Sequence, residues 1–351
     1  MRVIVVGASG NVGTSLLKVL ADEPAVESVL AIARRLPELE VPKTVWARAD
    51  VTRDELAPLF RGADALVHLA WAIQPSHDRD RLWRVNVEGS TRVFRAVADA
   101  GVPALVYASS VGAYAPGPKH RPVDESWPVG GVATSFYGRQ KAEVERRLDR
   151  FENEHPRIRV VRLRPGLIFK REAASEVRRL FAGPFLPSRL VRPSLIPVLP
   201  EIPGLRFQAL HSLDVAEAYR LAIVRKVRGA FNVAADPPLD LPSLARLLDA
   251  RTVRVPVALA RVAMQLSWRL RLQPSEVGWL DLALAVPLLD TSRARSELGW
   301  SPTCSSEEAF LELLGGIRDE AGLETPPLEP EAGGPLRVRE LATRVGGSED
   351  V

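Results

Sequence analysis

The sequence predicts an α/β fold, a doubly wound parallel sheet followed by a smaller C-terminal region. Three observations predict it. Short Val/Ile/Leu-rich runs alternate with longer amphipathic stretches through the first half, the pattern of a parallel sheet covered on both faces. The first run, Arg2-Val3-Ile4-Val5-Val6, leads through glycines directly into a helical stretch. After Pro165 the texture changes: residues 165–207 are rich in Pro, Arg and Leu without a period, as expected of irregular structure over a cleft.

In chain order, strands are predicted at 2–6, 28–33, 44–48, 65–69, 104–109 and 158–163, and helices at 12–22, 78–100 and 134–154. A helix at 213–226, a short strand at Phe231-Asn232-Val233 and a helix at 241–250 follow. Pro256 opens a further helix through about 272, and 305–317 forms a last amphipathic one. From about 321 the chain is rich in Pro, Gly and Glu and is expected to be disordered, apart from a short helix near 336–344. The organisation is then a first unit of 1–164, with 208–234 contributing, and a second of 165–207 and 235–320.

The composition narrows the function classes. With 351 residues, 46% hydrophobic and 26% charged, the chain reads as a globular protein of one or two domains. The net charge of +4 comes from 47 basic and 43 acidic residues, with no basic run interleaved with aromatics, so nucleic-acid binding is disfavoured. The single cysteine, Cys304, forms neither an internal disulfide nor a thiolate metal site. His68, His77, His120, His155 and His211 show no ligand spacing, so no metal is expected. No run of 18 apolar residues exists to span a membrane, and a cytoplasmic location is expected.

Gly7-Ala8-Ser9-Gly10-Asn11-Val12-Gly13 joins the first strand to the first helix. Glycines there allow a tight turn and close backbone approach to a diphosphate, which the helix N-terminus favours. The unit therefore reads as a Rossmann-type dinucleotide-binding domain. An NAD-preferring site places an acid at the end of the second strand, but here Val29-Leu30-Ala31-Ile32-Ala33 runs into Arg34-Arg35. Two guanidiniums suit a 2′-phosphate, so NADP is preferred and NAD remains possible; the alternative is two solvated arginines and a site that takes either cofactor. Asp50, after the third strand, is placed to accept from the adenine amino group or to cap a helix near 53. Further on, Tyr137-Gly138-Arg139-Gln140-Lys141 puts a phenol and an ammonium one helical turn apart. A nearby positive charge favours the phenolate and is expected to lower the Tyr137 pKa.

With these motifs the sequence resembles the extended short-chain dehydrogenase/reductase superfamily, the NAD-dependent epimerase/dehydratase family, over about residues 1–318. The resemblance also rests on Ala65-Leu66-Val67-His68-Leu69-Ala70, Asn86-Val87-Glu88-Gly89-Ser90 and Val106-Tyr107-Ala108-Ser109-Ser110. It continues through Leu163-Arg164-Pro165-Gly166, His211-Ser212-Leu213-Asp214-Val215-Ala216, Asp290-Thr291-Ser292 and Leu298-Gly299-Trp300. It implies that Ser110 bonds the substrate oxygen, with Ser109 as the alternative assignment. Tyr137 exchanges a proton with that oxygen, and Lys141 bonds the nicotinamide ribose. The cofactor contacts it implies are Gly7, Ser9, Gly10, Asn11, Val12, Gly13, Arg34, Arg35, Asp50, Val51, Leu69, Ala70, Trp71, Asn86, Ala108, Pro165, Gly166 and Ile168, together with Tyr137 and Lys141. Trp71 lines the nicotinamide end of the cleft or packs in the core. His68 is read as a core histidine. Asp214 ties the two units together or caps a helix. Relatives often pair through the fourth and fifth helices, so a homodimer is implied.

Departures from the family pattern narrow the chemistry. Val111-Gly112 stands where sugar-nucleotide dehydratases carry an Asp-Glu pair, which disfavours elimination. Leu167-Ile168-Phe169-Lys170-Arg171 replaces the usual Asn-Val-Tyr-Gly-Pro. Lys170, Arg171, Arg178, Arg179, Arg189 and Arg192 either pair with an anionic substrate or form a solvated basic face. The helix 256–272 covers the cleft or joins a subunit interface, ahead of a membrane-surface role, because its polar stripe is narrow and weakly charged. The leading expectation is an NAD(P)-dependent oxidoreductase acting on a carbonyl or secondary alcohol of a small organic substrate. A nucleotide-sugar epimerase and a non-catalytic NADP-binding sensor or scaffold are the alternatives.

Overall fold

The structure is a computed structural model that describes residues 1–74, 76–185 and 197–330. Seven parallel strands form the central sheet: β1 (Arg2–Val6), β2 (Ser28–Ala33), β3 (Thr44–Arg48), β4 (Ala65–His68), β5 (Ala104–Ala108), β6 (Arg159–Pro165) and β7 (Gly229–Val233). Their spatial order is β7-β6-β5-β4-β1-β2-β3. The order reverses between β1 and β4, and this switch opens a crevice at the carboxyl ends of the strands. The longer helices are α1 (Asn11–Ala21), α2 (Gly89–Asp99), α3 (Phe136–Glu154), α4 (Ser212–Val224), α5 (Val257–Arg269) and α6 (Ser306–Arg318).

Strand periodicity explains the two cores. Val3 and Val5 point to one face of β1, where Leu16, Leu17 and Leu20 of α1 meet Val215, Tyr219 and Ala222 of α4. Ile4 and Val6 point to the other, against Val93, Phe94 and Val97 of α2 and Val144, Leu148 and Phe151 of α3. Both faces are dry, which is why the strands read as continuous apolar runs. Local signals set the helix ends: Ser135 Oγ accepts from the Gly138 amide at the start of α3, and Ser305 and Glu308 close a capping box on α6.

The structure refines several sequence expectations. The stretch 78–100 is helical, but a wider turn at Arg84–Glu88 separates Arg79–Trp83 from Gly89–Asp99, and Asn86 lies in it. No helix begins near 53. Asp50 Oδ1 instead accepts from the Thr52 amide (2.8 Å) and hydroxyl (2.7 Å), closing a turn, and the next helical residues are Ala57–Phe60. Within the described part of 165–207, Leu167–Phe169 pairs with Ala209–His211, and Val198–Glu201 pairs with Arg251–Arg254. Residues 321–330 are not a disordered tail. Leu328 is fully buried there, and Arg179 donates to the carbonyls of Pro327 and Glu329. Two isolated leucines, Leu323 and Leu328, in polar sequence gave no period to announce this anchor. The remainder of the expected tail, with its short helix, lies outside the described residues, as do Arg189 and Arg192.

Candidate active site

A cleft of about 290 Å³ opens at the switch point. Gly7, Ser9 and Gly10 line it from the first loop, Arg34, Arg35, Asp50 and Val51 from the ends of β2 and β3, and Leu69, Ala70 and Trp71 from the end of β4. Gly7 has φ +86°, and a Cβ there would stand 2.6 Å from the Ala70 amide nitrogen. Only glycine lets these two strand ends approach so closely. The Asp50 carboxyl is held below its ordinary value; burial opposes this, but the Thr52 hydrogen bonds and Arg34 and Arg53 prevail. Trp71 Nε1, on the cleft wall, is a buried polar atom without a protein partner, a group that a bound ligand would satisfy. The glycine cradle, the two arginines and this indole fit a dinucleotide.

The structure places other sequence candidates away from the cleft walls. Asn86 is fully buried, and it accepts from the Ala72 amide and donates to the Ala72 carbonyl and Gln140 Oε1. It braces the loop after β4 and does not reach the cleft, because these partners occupy its amide. Val12 packs into the core beneath the sheet. Gly13 lies against the Ala8 carbonyl, where a Cβ would stand 2.5 Å from the oxygen. Asn11 Nδ2 donates to the Ile168 carbonyl, and the Gly166 amide donates to Val233. Pro165, Gly166 and Ile168 thus belong to the turn that anchors α1. Lys170 joins them: its Nζ donates to the Asn11 carbonyl, Thr14 Oγ1 and Ser15 Oγ, and burial lowers its pKa to about 8. Arg171 pairs with Asp319, Arg178 with the Gly183 carbonyl, and Arg179 with the C-terminal segment. Internal partners engage all four, although Arg171 stays exposed and Arg179 also lines the cleft.

Beyond Trp71 lies the catalytic candidate. Ser110 Oγ accepts from the Gly112 amide (3.0 Å), and Ser110 acts on the Tyr137 hydroxyl to lower its pKa. The Ser109 hydroxyl turns the other way and donates to Glu145 (2.5 Å). Arg164 holds Glu145 in turn, and also donates to the Tyr114 hydroxyl, which donates to Asn232. A Cβ on Gly112 would stand 2.8 Å from Tyr137 Cε1, so this position has no room for a side chain. Lys141 Nζ donates to the Ala108 carbonyl (2.8 Å) and lies 3.5 Å from the centre of the Trp71 ring. Trp71 thus does both things expected of it, lining the cleft and packing inward over the lysine.

The electrostatics correct one expectation. Burial pushes the Tyr137 hydroxyl up to about 12, while the Ser110 hydrogen bond pulls it down. Burial also lowers Lys141 well below the ordinary lysine value, against the attraction of Glu145. Burial outweighs the effect expected of the nearby ammonium, and the lowered Tyr137 value expected from the spacing is not seen in this structure. His68 is a core residue: its Nε2 lies 2.9 Å from Ser90 Oγ, and burial, then Lys141, lower its pKa to about 3. Asp214 accepts from Thr303 and Cys304 and so ties α4 to the C-terminal region, while His211 caps that helix.

Sequence reasoning missed the aromatic wall. Trp279 lies 4.8 Å from the Tyr137 ring, Phe181 lies 5.0 Å from Trp279, and Trp71 closes the other side at 5.8 Å. It also missed Glu176, which lines the cleft and has its pKa raised to about 7 by burial, against the pull of Arg179 and Lys170. None of these residues belongs to a local motif. Among the described residues no cluster of His, Cys, Asp and Glu is suited to a metal ion, and no helix is long and apolar enough to cross a membrane.

Comparison with known proteins agrees with this geometry. An NAD-dependent glucose-6-phosphate dehydrogenase of Haloferax volcanii is 31% identical over 50% of this chain and 72% of its own length. A 4-hydroxy-2-methyl-3-oxo-4-farnesyl-3,4-dihydroquinoline-1-oxide ketoreductase of Stigmatella aurantiaca is 26% identical over 88% of this chain and 95% of its own. An uncharacterized Mycobacterium tuberculosis protein is 26% identical over 92% of this chain, which spans only 31% of that relative's length. A UDP-glucose 4-epimerase of Thermotoga maritima shares the fold, with a TM-score of 0.68 and 19% identity over 91% of this chain and 99% of its own. The sequence profile of the NAD dependent epimerase/dehydratase family matches residues 3–234, well over half of the sequence, and the chain belongs to that family.

Proposed function

We propose that this enzyme is an NADP-dependent oxidoreductase that interconverts a carbonyl and a secondary alcohol on a small organic substrate. The observation that carries the reading is that Ser110 and Tyr137 are brought together across Gly112 beside buried Lys141, with no second acid or base at Val111-Gly112. One proton donor on the substrate oxygen is enough for carbonyl reduction, whereas elimination needs a further acid and base. In this reading Ser110 orients the substrate oxygen and Tyr137 gives or takes its proton. A phenol pushed up to about 12 holds its proton at neutral pH and suits the reductive direction. Nicotinamide bound beyond Trp71 supplies or accepts the hydride. Ser9 and Gly10 would face the diphosphate, Arg34 and Arg35 would hold the 2′-phosphate, and Lys141 would hold the ribose.

The wall of Trp71, Phe181 and Trp279 suits an apolar or aromatic substrate face better than a sugar rich in hydroxyls. The two named relatives, a dehydrogenase and a ketoreductase, favour net oxidoreduction. The fold shared with a UDP-glucose 4-epimerase keeps epimerisation as the second reading, and a non-catalytic sensor as a third. Pairing of two copies through α2 and α3 belongs to the same proposal. Titration decides the cofactor: NADP is expected to bind at least about tenfold tighter than NAD through its phosphate contacts, and equal affinities would overturn the role given to Arg34 and Arg35. Tyr137→Phe is expected to bind NADP normally and to lose turnover. An epimerase would show no net change in nicotinamide absorbance with any active substrate, and a sensor would show no turnover at all.

A further inference from the structure

Helix α5 has an uncovered apolar face. Leu259, Val262, Leu266 and Leu270 follow one another at intervals of three and four residues and so share a face. They are 58%, 55%, 52% and 68% exposed. The opposite face is held against the protein. Trp268 stacks on His77 with ring centres 4.1 Å apart, and its indole donates to Ser76 Oγ (3.0 Å). Ser76 in turn lines a small recess beside Tyr137. The helix thus turns one side toward the catalytic candidate and leaves the other bare.

The charge along this stretch of chain is one-sided. Residues 250–275 hold five arginines (251, 254, 261, 269 and 271) and no acidic residue, in a chain whose 47 basic and 43 acidic residues nearly balance. Arg261 pairs with Asp281, while Arg251, Arg254 and Arg269 are exposed. We propose that α5 lies flat on an anionic lipid surface, its leucine stripe among the acyl chains and its flanking arginines at the headgroups. The helix alone has a narrow polar stripe; the strand Arg251–Arg254 leads into it and adds two exposed arginines at its N-terminal end. A second copy of the chain is the poorer occupant, since a two-fold contact here would set arginine against arginine. This inference does not depend on the catalytic reading.

Sedimentation of the full chain with lipid vesicles tests it. The protein is expected to pellet with equimolar phosphatidylglycerol–phosphatidylcholine vesicles, to stay in solution with phosphatidylcholine alone, and to be partly released by salt. Leu259→Glu with Leu266→Glu is expected to weaken binding at least about tenfold, with NADP affinity and melting temperature unchanged. Arg254→Glu with Arg269→Glu, which leaves the leucines intact, is expected to weaken it severalfold. The proposal fails if the parent does not bind anionic vesicles or if both double variants bind as it does. It also fails if the leucine variant instead dissociates a dimer measured by light scattering.

Discussion

Glu176 shows how one side chain can set the conditions under which the cleft works. It lines the cleft together with Gly7, Ser9 and Gly10, and burial raises its pKa from the ordinary 4.5 to about 7. Below pH 7 it is a neutral acid. Above pH 7 it becomes an anion beside the place proposed for the diphosphate, so cofactor affinity is expected to fall as pH rises through 7. The folded state binds more protons than the unfolded one between pH 4.5 and 7, so the same group lowers stability as pH rises across that window. Calorimetric titration of NADP from pH 6 to 8 checks the first effect: Glu176→Gln should flatten the slope, and an equal slope in parent and variant would assign it elsewhere. At this scale the sequence was readable only where chemistry is local. Tyr137 and Lys141 share a helical turn and were found at once. Glu176 and Trp279 reach the site from segments with no motif, and the contact of Trp71 with Lys141 joins residues far apart in sequence.

Among the elements, the turn after β5 bears most directly on catalysis. It presents Ser110 to Tyr137 and packs Gly112 against the Tyr137 ring. Gly112→Ala forces a Cβ to 2.8 Å from Cε1, so the ring must move. A displacement near 1 Å at the reacting group is expected to lower kcat about 100-fold, with NADP affinity kept. Steady-state kinetics on any active substrate measures this, and an unchanged kcat would show that the ring has slack. Elements were also where the sequence was most legible. The strands β1 to β6 and the helices α1 and α3 announce themselves by period, because each buries a continuous stripe or face. Of the two roles open to Asp50, the cap of a helix near 53 is not what forms, since a capping aspartate and an aspartate that closes a turn have the same local sequence.

For the whole molecule, the C-terminal segment closes what the N-terminal loop begins. Pro327 lines the cleft, Leu328 is fully buried, and Arg179 spans the gap. Ending the chain after Ala321 removes these contacts. Losing one buried leucine costs about 1.5–3 kcal/mol, so the melting temperature is expected to drop by several degrees and NADP binding to weaken. Thermal scans with and without NADP check both parts, and an unchanged melting temperature would mean that the segment is a passenger. Such long-range closure leaves no trace in composition, which is why residues 321–330 read as tail. The tryptophans that wall the tyrosine have a spectroscopic consequence. Trp71 and Trp279 emit in the band where a reduced nicotinamide absorbs, and both lie within a few ångströms of Tyr137. Excited at these indoles, the enzyme should pass its energy to a reduced cofactor seated beside that tyrosine, and its own emission would then count occupied sites without any added dye.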